Sequence, residues 1–410
     1  MKKNIIKPKI IRATTVPTSL TSFCTGILKE LSEKFEVIAL SSPGKELLKI
    51  QETDGVRVIS VPMERHISII KDLKALLTLI KVFYQEKPYM VHSMTPKAGL
   101  LCMVAAFITR VPRRVHTFTG LIWPTAVGYK RRILMLMDKI LCACATHVIP
   151  EGEGVKNDLN NYITKKNIKV LGYGNVKGID LNYWKISSEL REKANKLKKQ
   201  LDILPSKDEE KIFTFIFVGR IVGDKGINEL VDAFLKLKEC YSIKKNTVGI
   251  RLILVGMYED DLDPISPSTK QKIETTSSII NVGPKYDQDL LTYYACSDCF
   301  VFPSYREGFP NTPIEAGALG LPSIVTDING SREIITGNLS ESDNNKIKIC
   351  KNGIIIPPKD VNALYDAMKI IIERKDIHNQ MVLNARHMIE TRFEQTFVRK
   401  CLFDFYDEIM

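Results

Sequence analysis

The stretch Ser304-Tyr305-Arg306-Glu307-Gly308-Phe309-Pro310-Asn311-Thr312-Pro313-Ile314-Glu315-Ala316 decides the fold of this chain. It follows residues 299–303, an apolar run with the length of a short buried strand. Thr312 is a suitable N-cap and Pro313 suits the first helical position, which predicts a helix over residues 313–319. The stretch is therefore predicted to be a tight loop between a strand and the start of a helix.

Two carboxylates lie around the predicted helix N-terminus. Glu307 is on the loop, and Glu315 is in the first turns of the helix. The N–H groups and the partial positive charge of a helix N-terminus suit a phosphate, whereas carboxylates suit sugar hydroxyls. The pattern favours a nucleotide-sugar as ligand. From the pattern alone, a purely structural loop with two solvated glutamates is an equal alternative.

These residues carry a resemblance to a known family. Together with Gly320-Leu-Pro-Ser-Ile-Val-Thr-Asp327, the stretch resembles the signature of the retaining glycosyltransferases of family 4, and within them the capsular and surface-polysaccharide branch. The signature is long, and it stands in the predicted strand–loop–helix context. The resemblance implies the GT-B fold, in which two Rossmann-like α/β domains, each a doubly wound parallel sheet, face a central cleft.

The order of predicted elements agrees with that fold class. Strand-like runs alternate with helical patterns in the first half, which predicts a parallel sheet covered on both faces. These runs are 8–15, 35–40, 56–61, 89–93, 114–118, 146–150 and 169–172. Strands restart in the second half at 212–218, 251–255, 279–282, 299–302, 323–325 and 353–356.

The resemblance assigns a role to each half of the chain. Residues 1–180 would form the acceptor-side domain, 181–211 a linker and 212–392 the nucleotide-sugar-binding domain. The last helix, 393–410, would pack back on the first domain.

Composition excludes several classes of protein. The 410 residues contain no apolar run near the ~20 residues that span a bilayer. The basic N-terminus has no apolar core of signal-peptide length, so a cytoplasmic protein is expected.

Residues 1–180 hold 28 Lys and Arg against 14 Asp and Glu, whereas the remainder holds 31 against 33. This asymmetry indicates either an anionic partner surface, such as the inner leaflet of a membrane, or merely solvated helix faces.

A nucleic-acid partner is not expected, because the basic clusters contain no recognised nucleic-acid module.

Arg220 and Lys225 follow the predicted strand 212–218. An arginine and a lysine five residues apart at a strand-to-helix turn can both reach one diphosphate. The resemblance implies that this is the diphosphate site, and that the turn containing Lys285 lies near the uracil. It also implies that Glu307 holds hydroxyls of the transferred sugar and Glu315 those of the ribose. Beside Glu307, substrate contacts are expected from Gly308, Phe309, Pro310, Asn311 and Thr312, with the backbone N–H groups of Phe309, Asn311 and Thr312 as donors.

In the first half, polar residues follow the predicted strands. Thr18, Thr119 and Glu151 are expected to bind substrate from these loops, because ligands of parallel sheets bind at the carboxyl ends of the strands. Relatives often have Thr-x-His-Gly after the fifth strand, with a histidine near the donor sugar. This chain has Thr117-Phe-Thr-Gly120 there, and its histidine is His116. His116 is therefore either catalytic or a core residue that points away from the cleft.

No metal is expected, since the Asp-x-Asp pairs 261/263 and 287/289 are interpreted as caps and solvated charge.

The resemblance implies a retaining transfer from a nucleotide-sugar, commonly UDP-linked, to an undecaprenyl-diphosphate-linked acceptor in capsule or O-antigen synthesis. A protein of this fold that binds nucleotide-sugars without turnover is the alternative.

Overall fold

The structure, a computed structural model, describes residues 7–24, 26–64, 66, 68–205, 210–243, 248–261, 263–340 and 346–410. The chain forms two compact units. The first unit consists of Met1–Gly178 and Thr396–Met410, and the second of Ile179–Gln395. Residues 181–211, predicted as a linker, group with the second unit.

The first unit contains a six-stranded parallel sheet in the order β3-β2-β1-β4-β5-β6. Its strands are β1 (Lys9–Ala13), β2 (Glu36–Ser41), β3 (Arg57–Ser60), β4 (Met90–Met94), β5 (Arg113–Phe118) and β6 (His147–Pro150). The prediction of a seventh strand at 169–172 was wrong. Gly172 and Gly174 have positive φ, and Gly174 donates to the carbonyl of Leu171 at 3.0 Å, so the chain turns there.

The described helices between these strands are α1 (Pro17–Cys24), α2 (Ile27–Leu31), α3 (Lys45–Asp54), α4 (Ile69–Glu86), α5 (Pro96–Ile108) and α6 (Gly128–Cys144), and α7 (Glu153–Tyr162) follows β6. The crossovers from β3 through β6 all proceed toward one edge of the sheet. Because such crossovers are right-handed, α4, α5 and α6 lie on the same face. Their buried side chains share one apolar core, whereas those of α1, α2 and α3 belong to another.

The second unit contains an eight-stranded sheet in the order β12-β13-β14-β11-β10-β7-β8-β9. Its strands are β7 (Lys211–Val218), β8 (Val248–Val255), β9 (Ile279–Asn281), β10 (Cys299–Phe302), β11 (Ser323–Thr326), β12 (Asn338–Ser340), β13 (Lys348–Cys350) and β14 (Gly353–Ile356). Every residue of β7 after Lys211 is buried, as expected for a central strand covered on both faces. The antiparallel strands β12 and β13 were not predicted.

The helices of the second unit are α8 (Ser188–Gln200), α9 (Ile227–Ile243), α10 (Pro267–Thr275), α11 (Asp287–Ala295), α12 (Asn311–Ala318), α13 (Ser331–Ile334), α14 (Val361–Glu373) and α15 (Lys375–Arg392). Among the described residues, no helix has both the length and the apolar character needed to cross a membrane.

The last helix, α16 (Gln395–Ile409), completes the core of the first unit on the side of α1–α3. Its Tyr406 is fully buried, and the Tyr406 hydroxyl accepts a hydrogen bond from Arg12 Nη1 at 2.6 Å. Arg12 is itself buried on β1 and also contacts His92 Nδ1 at 2.8 Å. The C-terminal helix is thus held by a buried polar network as well as by apolar packing.

Candidate active site

The loop after β10 leads into α12 two residues earlier than predicted. Helix α12 begins at Asn311 with the extended Pro310 as its N-cap, so the prediction of Thr312 as cap and Pro313 as first residue was wrong. Proline at the cap position fixes φ near −70° and needs no N–H partner. Thr312 lies within the first turn, which contains no acidic residue. The helix N-terminus therefore keeps its partial positive charge.

Lys225 and Glu307 form an ion pair at this helix end, although they are 82 residues apart in sequence. Only 13% and 14% of their side chains are exposed, so the pair is largely shielded from water. Ser304 Oγ donates to Glu307 Oε1 at 2.6 Å, and the Lys225 ammonium lies 5.2 Å from the centre of the Phe302 ring. Both charged groups are consequently held in one orientation.

Close backbone packing fixes the loop that bears Lys225. Gly226 has φ +70°, and a Cβ there would lie 2.1 Å from the carbonyl oxygen of Pro303. Tyr305 N donates to the carbonyl of Asp224 at 2.8 Å. The loop after β7 therefore lies directly against the loop after β10, which places Lys225 beside Glu307.

Asp263, in the segment between β8 and α10, supports the same loop. Its carboxylate accepts the backbone N–H of Asp224 at 2.5 Å, and its carbonyl accepts that of Gly223 at 2.9 Å. Asp263 thus acts as a hydrogen-bond acceptor for the backbone of that loop. Within the described residues, no group of three or more His, Cys, Asp or Glu side chains is arranged to hold a metal ion.

Arg220 lies at the end of β7 but pairs with a residue that the sequence did not indicate. Its Nη1 donates to Glu259 Oε2 at 2.7 Å. Burial lowers the pKa of Arg220, but the hydrogen bond and charge of Glu259, with smaller contributions from Asp224 and Glu307, raise it overall. The guanidinium is thus a permanent cation in the electrostatic field of Glu307.

Glu315 is half-buried on α12. Tyr294 donates from its hydroxyl to Glu315 Oε2 at 3.3 Å, and burial together with the Glu315 charge raises the pKa of that tyrosine. Lys285 is also half-buried, with its ammonium 5.7 Å from the Tyr293 ring centre. Both predicted residues thus lie against tyrosines of α11.

Phe309 and Pro310 are buried rather than presented to a ligand. The Phe309 ring packs 5.5 Å from that of Phe393. Gly330 has φ +74°, and a Cβ there would lie 2.1 Å from the carbonyl oxygen of Gly308. These residues shape the loop, so only their backbone groups can serve a ligand.

In the first unit, the structure does not support a catalytic role for His116. The ring is 1% exposed, and its Nδ1 shares a hydrogen bond of 2.9 Å with Ser93. A Cβ on Gly99 would lie 2.4 Å from His116 Cε1, so the imidazole is packed tightly against α5. Desolvation lowers the pKa of His116 to about 3. His116 is the core residue that the sequence left open as the alternative.

The other predicted residues of the first unit differ in accessibility. Thr18 is exposed on α1, and Thr119 is half-buried just after β5. Glu151 is buried just after β6, where it lines a small pocket together with Arg12 and Asn175. Thr119 and Glu151 therefore lie at the carboxyl ends of neighbouring strands.

Comparison with known proteins identifies the family. The family model "Glycosyl transferases group 1" matches residues 198–388, and "Glycosyl transferase 4-like domain" matches 24–174. The capsular polysaccharide biosynthesis glycosyltransferase CapM of Staphylococcus aureus is 31% identical over 407 residues, with 98% of this chain and 97% of CapM covered. This chain belongs to the family 4 glycosyltransferases. It is an enzyme, and its two units have the architecture of the GT-B fold.

Two further proteins resemble this glycosyltransferase. The UDP-Gal:alpha-D-GlcNAc-diphosphoundecaprenol alpha-1,3-galactosyltransferase of Escherichia coli is 26% identical, with 83% of this chain and 81% of the relative covered. The crystal structure of Anabaena Alr3699/HepE in complex with UDP superimposes with a TM-score of 0.75 at 16% identity, covering 98% and 100% of the two chains. At that identity the likeness shows the fold alone.

Sequence reasoning missed three contacts that position the predicted residues. Glu259 pairs with Arg220, Ser304 with Glu307, and Asp263 with the loop of Lys225. Ser304 begins the quoted stretch, three residues before Glu307, so its spacing could have indicated the contact. Glu259 and Asp263 each lie 39 residues from their partner, a separation that carries no local signal.

Proposed function

We propose that this glycosyltransferase moves a hexosyl or N-acetylhexosaminyl residue from a UDP-sugar to an undecaprenyl-diphosphate-linked acceptor, with retention at the anomeric carbon. The setting would be capsular or other surface polysaccharide synthesis at the cytoplasmic face of the membrane. The whole-length relative CapM supports the setting. The name of the Escherichia coli relative contains both a UDP-sugar and a diphosphoundecaprenol-linked sugar, which supports the donor and acceptor.

The ion pair between Lys225 and Glu307 at the start of α12 carries this proposal. The negative charge that develops on the departing diphosphate makes the largest contribution to the free-energy barrier of the reaction. Lys225, Arg220 and the N-terminus of α12 would stabilise that charge, because preorganised cations and helix N–H groups need no reorientation during the reaction. The ammonium of Lys225 has three donors, so it can serve Glu307 and a phosphate oxygen together.

Glu307 would orient the transferred sugar rather than attack it. A retaining glycosidase uses a carboxylate nucleophile opposite a second carboxyl group. Here Glu307 shares its charge with Lys225 and accepts from Ser304, which lowers its nucleophilicity and leaves it suited to accept from sugar hydroxyls. Attack on the same face, assisted by the leaving diphosphate, therefore agrees better with the arrangement. Glu315 would bind the ribose.

A thermal-shift panel tests the donor. UDP-glucose, UDP-galactose, their N-acetylhexosamine counterparts and GDP-mannose would each be added to the wild type and to Lys225→Ala. The matching donor at ~100 times its Kd should stabilise the wild type by about 2.7 kcal/mol, since only the folded protein binds it. Lys225→Ala should lose most of that shift.

Lys236→Ala is the matched control, because Lys236 also lies over an aromatic ring, 4.5 Å from the centre of Tyr365. It should behave as the wild type. Stabilisation by the GDP-sugar alone would refute a UDP donor, and a product of inverted anomeric configuration by NMR would refute retention. Turnover that stops in EDTA and returns with a divalent cation would contradict the expectation that no metal takes part.

A further inference from the structure

Helix α6 is far more exposed than its apolar residues predict. Of its 17 residues, only Leu141 and Cys142 are buried. Tyr129, Ile133, Leu136 and Ile140 are all exposed, with Tyr129 81% exposed. Their spacing of four, three and four residues aligns them on one stripe of the helix. A helix on the surface of a soluble domain normally turns such a stripe toward the core.

Helix α4 has two apolar stripes. Ala75, Leu79 and Phe83 enter the core of the first unit. Leu73 and Leu77 lie on another side of the helix, and each is more than half exposed. The helix begins with Ile69 and Ile70, both 83% exposed, and its last turn exposes Tyr84. The outward stripe is therefore as apolar as the inward one.

The two exposed stripes belong to one helical layer. Helix α4 packs against α5, and α5 packs against α6. All three contribute their buried side chains to the same core on one face of the sheet. Phe107 and Ile108, at the end of the intervening helix α5, are also more than half exposed. All three helices of this layer therefore expose large apolar side chains, which is more than singly scattered surface residues.

Basic side chains border this surface. Lys130, Arg131, Arg132 and Lys139 are exposed on α6, and its one acidic residue, Asp138, is half-buried. The Arg132 guanidinium lies 5.8 Å from the centre of the Tyr129 ring. Long basic side chains can extend along apolar groups and keep their charge in a polar layer. Apolar and cationic groups thus alternate on one exposed helix.

The positive charge of these helices favours a lipid bilayer over a second copy of the chain as the partner of this surface. A second copy of the chain would place the same basic clusters opposite each other across a two-fold axis, which opposes association. An anionic lipid bilayer offers phosphate groups for the lysines and arginines and an acyl boundary, ~5–10 Å deep, for the apolar stripe.

We propose that the outer side of the α4–α6 layer docks on an anionic lipid bilayer, with the exposed stripes of both helices entering the acyl boundary and the Lys130–Arg132 cluster at the headgroups. The proposal rests on the proposed function in one respect, since an acceptor carried by a lipid is reached at a membrane surface. It adds the segments that make the contact.

Flotation with liposomes tests the surface. The full chain would be mixed with vesicles of phosphatidylcholine alone or with ~30 mol% phosphatidylglycerol, at low and high salt. The wild type should float with the anionic vesicles only, and high salt should weaken binding because the charges are solvent-exposed. The pair Ile133→Ser and Leu136→Ser should lower the partition coefficient about tenfold or more, since it removes apolar groups from the boundary. The pair Lys130→Glu and Arg132→Glu should lower it by a similar factor at low salt.

Leu48→Ser and Leu383→Ser are matched controls. Leu48 is exposed on α3, in the opposite helical layer of the first unit, and Leu383 is exposed on α15 of the second unit. Both should float as the wild type does. Equal flotation of the wild type and the α6 variants would overturn the proposal. So would a wild-type dimer that ignores vesicles and that the serine pair converts to monomers.

The test separates this inference from the proposed function. The thermal shift with the donor sugar would be measured on every variant, and the α6 variants should keep the wild-type shift because their substitutions lie in the first unit. If no nucleotide-sugar stabilises the protein while flotation still depends on α6, the proposed function falls and the docking surface stands. If the donor binds while flotation is independent of α6, the docking surface alone is refuted.

Discussion

At the scale of single residues, Lys225 has the most sharply defined environment in the candidate active site. Its ammonium pairs with Glu307 and lies over Phe302. We expect Lys225→Ala to lower kcat/KM by a factor of about 100 to 1,000, the loss typical when one preorganised charge-stabilising group is removed. Initial rates at several donor concentrations would measure it. An effect on KM alone would show that Lys225 binds the donor without stabilising the transition state.

The same ion pair has a consequence for stability. Lys225→Ala leaves the Glu307 carboxylate shielded from water and without its cation, which should cost about 1–3 kcal/mol of unfolding free energy. The double variant Lys225→Ala, Glu307→Gln should recover part of that loss, because it removes the unpaired charge. Urea unfolding of the single and double variants would measure the difference. Additive losses would show that the two side chains do not interact.

His116 makes stability depend on pH. Burial lowers its pKa to about 3, whereas an unfolded histidine titrates near 6.5. As the pH falls, the unfolded state therefore binds the proton first. The contribution of neutral His116 to the unfolding free energy is complete above about pH 6.5 and is lost as the pH falls toward 3. When the pH is lowered from about 7.5 to 5.5, one such histidine should lower the unfolding free energy by about 1.4 kcal/mol. Burial, with the nearby Arg12 charge, also lowers the pKa of His92 strongly, so this histidine should add to the loss in the same direction.

The variant His116→Asn isolates this contribution, since asparagine does not titrate. Its loss of unfolding free energy over that pH range should be smaller than that of the wild type by about 1.4 kcal/mol. Its kcat at neutral pH should stay within about threefold of the wild type, because a buried core residue touches no substrate. A loss of kcat near 1,000-fold with unchanged folding would restore His116 to the catalytic residues.

At the scale of elements, the turn after β7 positions the site through its backbone. Gly226→Ala would place a methyl group 2.1 Å from the Pro303 carbonyl, so one of the two loops has to move. We expect a loss of at least about 2 kcal/mol of stability and weaker binding of UDP, because Lys225 moves with the loop. Thermal melts with and without UDP would measure both effects.

Gly320→Ala is the control for backbone strain. Gly320 has φ +80°, close to the +70° of Gly226, but a Cβ there meets nothing within 4 Å. It should lose only about 1 kcal/mol and bind UDP as the wild type does. Equal effects of the two substitutions would attribute the loss to the left-handed backbone rather than to contact between the loops.

Most strands of both sheets could be predicted because a buried parallel strand is a short apolar run bounded by turn residues. The strand at 299–302 was predicted with its observed bounds, and the apolar run 212–218 agrees with β7 apart from Lys211. The strands β12 and β13 were missed because neither is an apolar run: Asn338–Ser340 and Lys348–Cys350 both include polar side chains, and each strand is defined by its pairing partner. The start of α12 was displaced because Pro310 and Pro313 both suit a helix N-terminus.

The site was predictable where residue type and spacing carry the information. Glu307 and Glu315 lie on a strand–loop–helix segment whose local sequence encodes its geometry. The Arg220–Glu259 pair depends instead on the adjacency of β7 and β8, which only the sheet order determines. For His116 the sequence left two alternatives, and the tight contact of its imidazole with Gly99 on α5, which only the fold determines, decides for the core.

At the scale of the whole molecule, the chain leaves the first unit at Gly178 and returns to it at Thr396. The returning helix α16 contributes Leu402, Tyr406 and Ile409 to the core beside α1–α3. Burial of three such side chains is worth about 5–8 kcal/mol, which is comparable to the entire stability of a typical domain. The first 178 residues therefore lack a part of their own core.

We accordingly expect a polypeptide of residues 1–178 to fail to fold cooperatively. Without α16, Arg12 also loses the Tyr406 hydroxyl, so a buried cation would keep fewer hydrogen-bond partners. Joining residues 394–410 to it through a flexible Gly/Ser linker should restore a cooperative thermal transition by circular dichroism. The same fusion with Tyr406→Ala should not. If residues 1–178 alone melt as sharply and as high as the fusion, α16 only rests on a unit that is already complete.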